Sequence, residues 1–131
     1  MTTFRLTILT PLETVLEWDV ESVTVPVADG WRGIFPGHAP FESYLMPGEL
    51  LVRADGHERL VATLGGALSV RPDGVVASTG AAALDKHLEE LEREIGDEAR
   101  RIAALEHEAE KQFDRVYREM AHTLNARRRR T

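Results

Sequence analysis

The chain has 131 residues, with 16 Lys+Arg against 22 Asp+Glu, and its net charge of −6 argues against a whole-chain nucleic-acid binder. It has no cysteine, which excludes a disulfide framework, thiolate chemistry and a cysteine-ligated metal. With 43% hydrophobic and 29% charged residues it has the composition of an ordinary globular chain, with room for one domain or one small domain and an appendage. From the N-terminus, Phe4, Leu6 and Ile8 alternate with Thr3, Arg5 and Thr7, then Val23, Val25 and Val27 with Ser22 and Thr24, and Leu50 and Val52 with Glu49 and Arg53. Successive side chains of a strand point to opposite faces, so each run predicts a strand with one buried face. Turn signals punctuate the runs at Thr10-Pro11, Asp29-Gly30, Pro36-Gly37, Pro47-Gly48, Asp55-Gly56, Gly65-Gly66 and Pro72-Asp73-Gly74. No helical pattern intervenes, which predicts an antiparallel sandwich or barrel rather than a parallel βαβ sheet.

The composition changes near residue 84. All six prolines and nine of the ten glycines precede it; beyond it the chain is rich in Glu, Arg, Ala and Leu. Two units are expected, a β domain over 1–82 and a helical arm over 83–131. Apolar residues at 84, 88, 91, 95, 99, 102, 105, 109, 113, 116, 120 and 124 fall on one helical stripe. Gly96-Asp97 suits a helix end followed by a new N-cap, which predicts an antiparallel hairpin of about 84–95 and 97–126. The rival reading is one continuous helix with Gly96 tolerated at a cost of about 1 kcal/mol. Either way the stripe is too long for a hairpin partner of a dozen residues to bury, and it predicts an arm that contacts something else.

Chemistry is sparse. There is no phosphate-binding glycine loop, and the two lysines, Lys86 and Lys111, both lie in the arm. Nucleophile elbows and dinucleotide fingerprints are absent too. The five histidines include no i,i+4 pair, and Glu119-Met120-Ala121-His122 is a single copy of a spacing that di-metal bundles use twice. No catalytic residue, metal or cofactor is expected. The N-terminus shows no basic region followed by an apolar one, so no signal peptide is expected. No apolar run approaches the roughly 20 residues of a membrane span. Arg127–Arg130 reads as the cationic end of a helix, or else as a weak anion contact. Trp31, between two glycines, is either a lid folded onto the core or a contact anchor.

The segment Gly33-Ile34-Phe35-Pro36-Gly37-His38-Ala39-Pro40-Phe41 closely resembles the hallmark of the epsilon subunit of rotary F-type ATP synthases. Further matches follow in family order: Leu9-Thr10-Pro11, Val20-Glu21-Ser22-Val23-Thr24-Val25-Pro26, Leu45-Met46-Pro47-Gly48-Glu49-Leu50-Leu51 and Leu64-Gly65-Gly66-Ala67-Leu68-Ser69-Val70. The resemblance covers about residues 4–82; the arm resembles the family in architecture, and that of the divergent alternative ion-pumping enzymes in its long basic ending. It implies a ten-stranded antiparallel β-sandwich followed by a two-helix hairpin. It implies a non-catalytic rotor subunit of the central stalk, monomeric within a hetero-oligomer, packed on the gamma subunit and standing on the polar loops of the membrane c-ring. The place implied is the cytoplasmic face of a bacterial membrane, without insertion. The c-ring contact maps onto Asp29, Gly30, Trp31, Arg32 and His38; the family often has Glu where Trp31 stands, so an aromatic anchor is expected here. The arm's regulatory contact with the alpha/beta catalytic head maps onto Arg100, Arg101, Arg115 and Arg118. Some members bind ATP through I/L-D-x-x-R-A, but Leu84-Asp85-Lys86-His87-Leu88-Glu89 lacks that arginine, so no tight ATP site is expected. A free-standing adaptor that dimerises through its arm is the alternative, and a small hydrolase or metal enzyme working through His38 ranks last.

Overall fold

The computed structural model describes the backbone of residues 2–129 and the side chains of residues 2–123. The run Arg127–Arg130 therefore lies outside the described side chains. Ten strands come first: β1 (Phe4–Leu9), β2 (Thr14–Val20), β3 (Ser22–Val27), β4 (Gly30–Ile34), β5 (Phe41–Leu45), β6 (Gly48–Ala54), β7 (His57–Thr63), β8 (Gly66–Arg71), β9 (Gly74–Thr79) and β10 (Ala82–Leu84). One helix, α1 (Leu88–Arg129), follows. Two compact units separate after Arg93, Met1–Arg93 and Glu94–Thr131, so the first turns of α1 belong with the strands.

The strands form a continuous order β10-β7-β6-β3-β5-β8-β9-β1-β2, folded over one core, with β4 added to β3 alone. The alternating residues supply that core. Leu6 and Ile8 of β1, Val23 and Val25 of β3, Leu50 and Val52 of β6, Leu68 and Val70 of β8, and Val75 and Ala77 of β9 are all buried. Burying each large aliphatic side chain contributes about 1.5–3 kcal/mol before conformational entropy is counted. β3 serves both layers: it pairs with β6 through Ser22–Thr24 and meets β5 at Val27 opposite Leu45. The tight return at Gly65–Gly66 is made possible by glycine, since a Cβ on Gly66 (φ +150°) would lie 2.1 Å from the Ser78 carbonyl oxygen.

Two expectations are corrected. The sheet is not wholly antiparallel: β1 runs parallel to β9, with Leu6 opposite Val75 and Leu9 opposite Ser78. Local alternation reveals a strand and its buried face but not its partner. The helical hairpin is not formed either, because α1 continues through Gly96 and Asp97 for 42 residues, about 63 Å at 1.5 Å per residue. Gly96 is absent from the glycines with positive φ, so it makes no left-handed helix end. The apolar stripe holds its register on both sides of it, and Asp97 pairs with Arg100 within the helix. The start also differs: α1 begins at Leu88, because Ala82–Leu84 are drawn into β10 against β7 and Asp85 adopts φ 60°.

Candidate functional site

β3 and β4 make a hairpin through Ala28–Asp29, closed by Val27 opposite Gly30. Among the described residues β4 pairs only with β3, which leaves its other edge unpaired there. Alternation along β4 sends Arg32 and Ile34 one way and Trp31 and Gly33 the other. Ile34 is buried in the core, and the Arg32 guanidinium lies 4.2 Å from the centre of the Phe41 ring. Trp31 on the other side is 63% exposed, which decides between lid and anchor: it does not cover the core. Phe35, just beyond β4, is 62% exposed, and a Cβ on Gly33 would stand 3.1 Å from its ring. Gly33 thus leaves room for the Phe35 ring beside the strand that presents Trp31.

The hallmark loop closes on His38. Pro36 and Gly37 (φ 80°) occupy the centre of a turn in which the His38 N–H donates to the Phe35 carbonyl at 3.3 Å. Nδ1 of the His38 ring donates to the same carbonyl, and the ring meets Phe4 edge-on at 5.5 Å and 77°. With Nδ1 protonated, Nε2 is an acceptor; it is buried and has no hydrogen-bond partner among the described residues. Of the five residues expected to form one contact, Asp29, Gly30 and Trp31 are exposed together at the hairpin, Arg32 is turned onto Phe41, and His38 pins the loop from within.

A second exposed surface lies on the outer face of β5, β8 and β9. Tyr44, 78% exposed, stands opposite Ala67, which stands opposite Ser78; Glu42, Ser69 and Val76 form the next row. One large aromatic over a floor of small residues makes a shallow trough. Alternation does not foretell it, because a period of two marks an outward position without saying which outward positions share a face.

On α1, Ile102, Leu105, Phe113, Val116, Tyr117 and Met120 are exposed, and Phe113 stacks on Tyr117 one turn on, with centroids 6.4 Å apart. Of the four arginines expected to meet a partner, Arg100 bonds Asp97 and Arg101 bonds Glu98, while Arg115 and Arg118 are exposed. Where the family motif for ATP would lie, Arg59 on β7 holds Asp85 through two hydrogen bonds of 2.9 and 2.5 Å. That guanidinium keeps the Asp85 carboxyl below its ordinary range, through hydrogen bonding first. The adjoining surface hollow is lined by Glu49, Glu89 and Glu90 with His87 and Arg93. Three carboxylates make it a poor cradle for phosphates.

Residues 3–84 match the family model described as ATP synthase, delta/epsilon chain, beta-sandwich domain. The ATP synthase epsilon chain of Bacillus subtilis is 36% identical over 102 residues, covering 75% of this chain and 77% of that one. The epsilon chain of Bacillus thuringiensis is 37% identical over 89 residues, 68% of this chain and 67% of its own. Among solved structures, a chain of the Euglena gracilis mitochondrial ATP synthase superposes with a TM-score of 0.61 at 24% identity, over 74% of this chain and 64% of that one. A chain of the central stalk/c-ring structure of the Tetrahymena thermophila mitochondrial ATP synthase gives 0.54 at 17%, over 63% and 66%. These two likenesses are of fold. A family model that matches residues 3–84, and epsilon chains 36–37% identical over two thirds or more of this chain, lead to one conclusion: the chain belongs to the ATP synthase delta/epsilon chain family.

Proposed function

We infer that this chain is a non-catalytic rotor subunit of an F-type ATP synthase central stalk. It joins a gamma-like subunit to the membrane c-ring and passes torque to a catalytic head carried by other subunits. The observation that supports this most is the family match over residues 3–84, which takes in both exposed surfaces of the sandwich. The Tyr44 trough is the face for the gamma-like subunit: its small residues allow close approach, and a single aromatic gives an anchor. Asp29, Gly30 and Trp31 meet the polar loops of the c-ring, with Phe35 widening the aromatic contact, while Arg32 and His38 shape the hairpin behind them. The arm carries the regulatory contact with the alpha/beta head, with Arg115 and Arg118 more available than Arg100 and Arg101, which already pair on their own helix. No helix of the described residues is long and apolar enough to cross a membrane. The place proposed is peripheral, on the cytoplasmic face of a bacterial membrane. Co-purification tests the reading. The tagged chain expressed in its host should bring down a gamma-like subunit and c-ring, and Trp31→Ala should keep the former while weakening retention of the latter by about tenfold. Recovery of the chain alone, or as a homodimer, would overturn it.

A further inference from the structure

The passage from β10 into α1 is tied to the sheet at two points, both built from ionisable side chains and both inside the first unit. Asp85 has a left-handed backbone (φ 60°), its N–H donates to the Leu60 carbonyl at 2.7 Å, and its carboxylate is gripped by Arg59. Two residues later Glu49 reaches across from β6. Its Oε1 accepts the Leu88 N–H at 3.3 Å and the His87 Nδ1–H at 3.0 Å. Glu90 completes the start of the helix by accepting the His87 N–H at 3.3 Å. A helix leaves its first N–H groups open, and they are normally closed by the residue just before it together with a glutamate three positions on. Here the glutamate is present, but the cap itself comes from a strand 39 positions away in sequence.

We propose that Glu49 and His87 form a proton-dependent latch on the first turn of α1, clamped while the imidazole is charged and loosened once it is neutral. Histidine is the side chain that changes charge near neutral pH, and a hydrogen bond from a charged ring to a carboxylate is stronger than one from a neutral ring. The charged groups facing His87 are Glu49 from β6 and Glu89, Glu90 and Arg93 from α1, with Lys86 beside it in the chain and the Arg59–Asp85 pair across the β10 turn. Glu49 sets the acid limit. Its carboxyl is held below its ordinary range, chiefly by the hydrogen bond from His87. Its contribution is therefore complete above the ordinary carboxylate range and lost as the pH falls through the lowered value. The latch is closed above that limit for as long as the imidazole carries its charge. Leu91, whose N–H donates to the His87 carbonyl at 3.1 Å, is buried in the same turn, so release of the cap frays a turn that also seats an apolar side chain. The inference stands on the junction alone and does not depend on what the arm touches.

Amide exchange with water, corrected for intrinsic rates and followed by NMR on the full chain from pH 5.5 to 8, tests it. Protection of Leu88 should fall about two- to fivefold across this range, the span expected of an exposed ion pair. Its midpoint should coincide with that of the His87 ring signals, and Val52 and Val61 in the sheet should not follow it. His87→Gln should abolish the fall, and Glu49→Gln should give low protection of Leu88 throughout. A flat Leu88 profile, a midpoint apart from that of His87, or an unchanged fall in His87→Gln would overturn the latch. The first two readouts come from the unmodified chain and hold whether or not a variant folds.

Discussion

At the scale of single residues, the hairpin and the double glycine show how little freedom some positions have. Gly66 sits where a Cβ would meet the Ser78 carbonyl oxygen at 2.1 Å, and that oxygen belongs to a paired strand that cannot move aside alone. Gly66→Ala is therefore expected to cost about 3 kcal/mol or more, since both backbone strain and overpacking contribute. Urea unfolding measures it, and a loss under about 1 kcal/mol would show that the return is looser than its geometry. The Asp85 side chain is also committed. With its carboxylate engaged by Arg59 and three glutamates nearby, the isolated chain is expected to show no ATP binding at micromolar concentrations by calorimetry. His38, by contrast, could not be placed from the sequence: a histidine in a Pro-Gly turn reads equally as a contact or as a fastener. Only the approach of Phe4 and the Phe35 carbonyl turns its ring inward.

At the scale of elements, strands were legible wherever one face is buried. Phe4-Leu6-Ile8, Val23-Val25-Val27 and Leu50-Val52 all lie where alternation put them, because burial of one face enforces the period of two. Pairing was not legible to the same degree. The parallel match of β1 with β9 joins segments from opposite ends of the sandwich, and the Glu49 cap spans two elements that share no local pattern. The helix was legible in its stripe and misread at Gly96, where a residue that often ends helices is carried through by the register of its neighbours. Gly96→Ala follows directly: the backbone is already helical and the nearest atoms are the far end of Arg100, so the substitution should stabilise α1 by about 0.5–1 kcal/mol. Thermal melting followed at 222 nm checks this. Destabilisation instead would mean that Gly96 holds a turn.

At the scale of the whole molecule, the two units divide the labour. The strand-built unit carries the hallmark loop, the aromatic hairpin and the Tyr44 trough; the helix carries an exposed apolar stripe. If the arm brakes the catalytic head, a chain ending at Leu84 should let the assembled enzyme hydrolyse ATP several-fold faster than the full-length chain does. Equal rates would remove the brake while leaving the rotor reading intact. The candidate contact residues were legible by position, through the hallmark segment, but the grouping of Asp29, Gly30 and Trp31 apart from Arg32 and His38 needed the course of β4.

The pairing of β1 with β9 also bears on how the chain is made. β1 leaves the ribosome ahead of the other nine strands, yet its parallel neighbour β9 arrives only after β8 has been synthesised, and closing so long a loop is entropically the costliest step of assembly. Until then the edge of β1 that β9 will cover is bare. A nascent chain is thus committed late, once Thr79 has emerged, while everything from Leu88 onward is still being translated or lies within the exit tunnel.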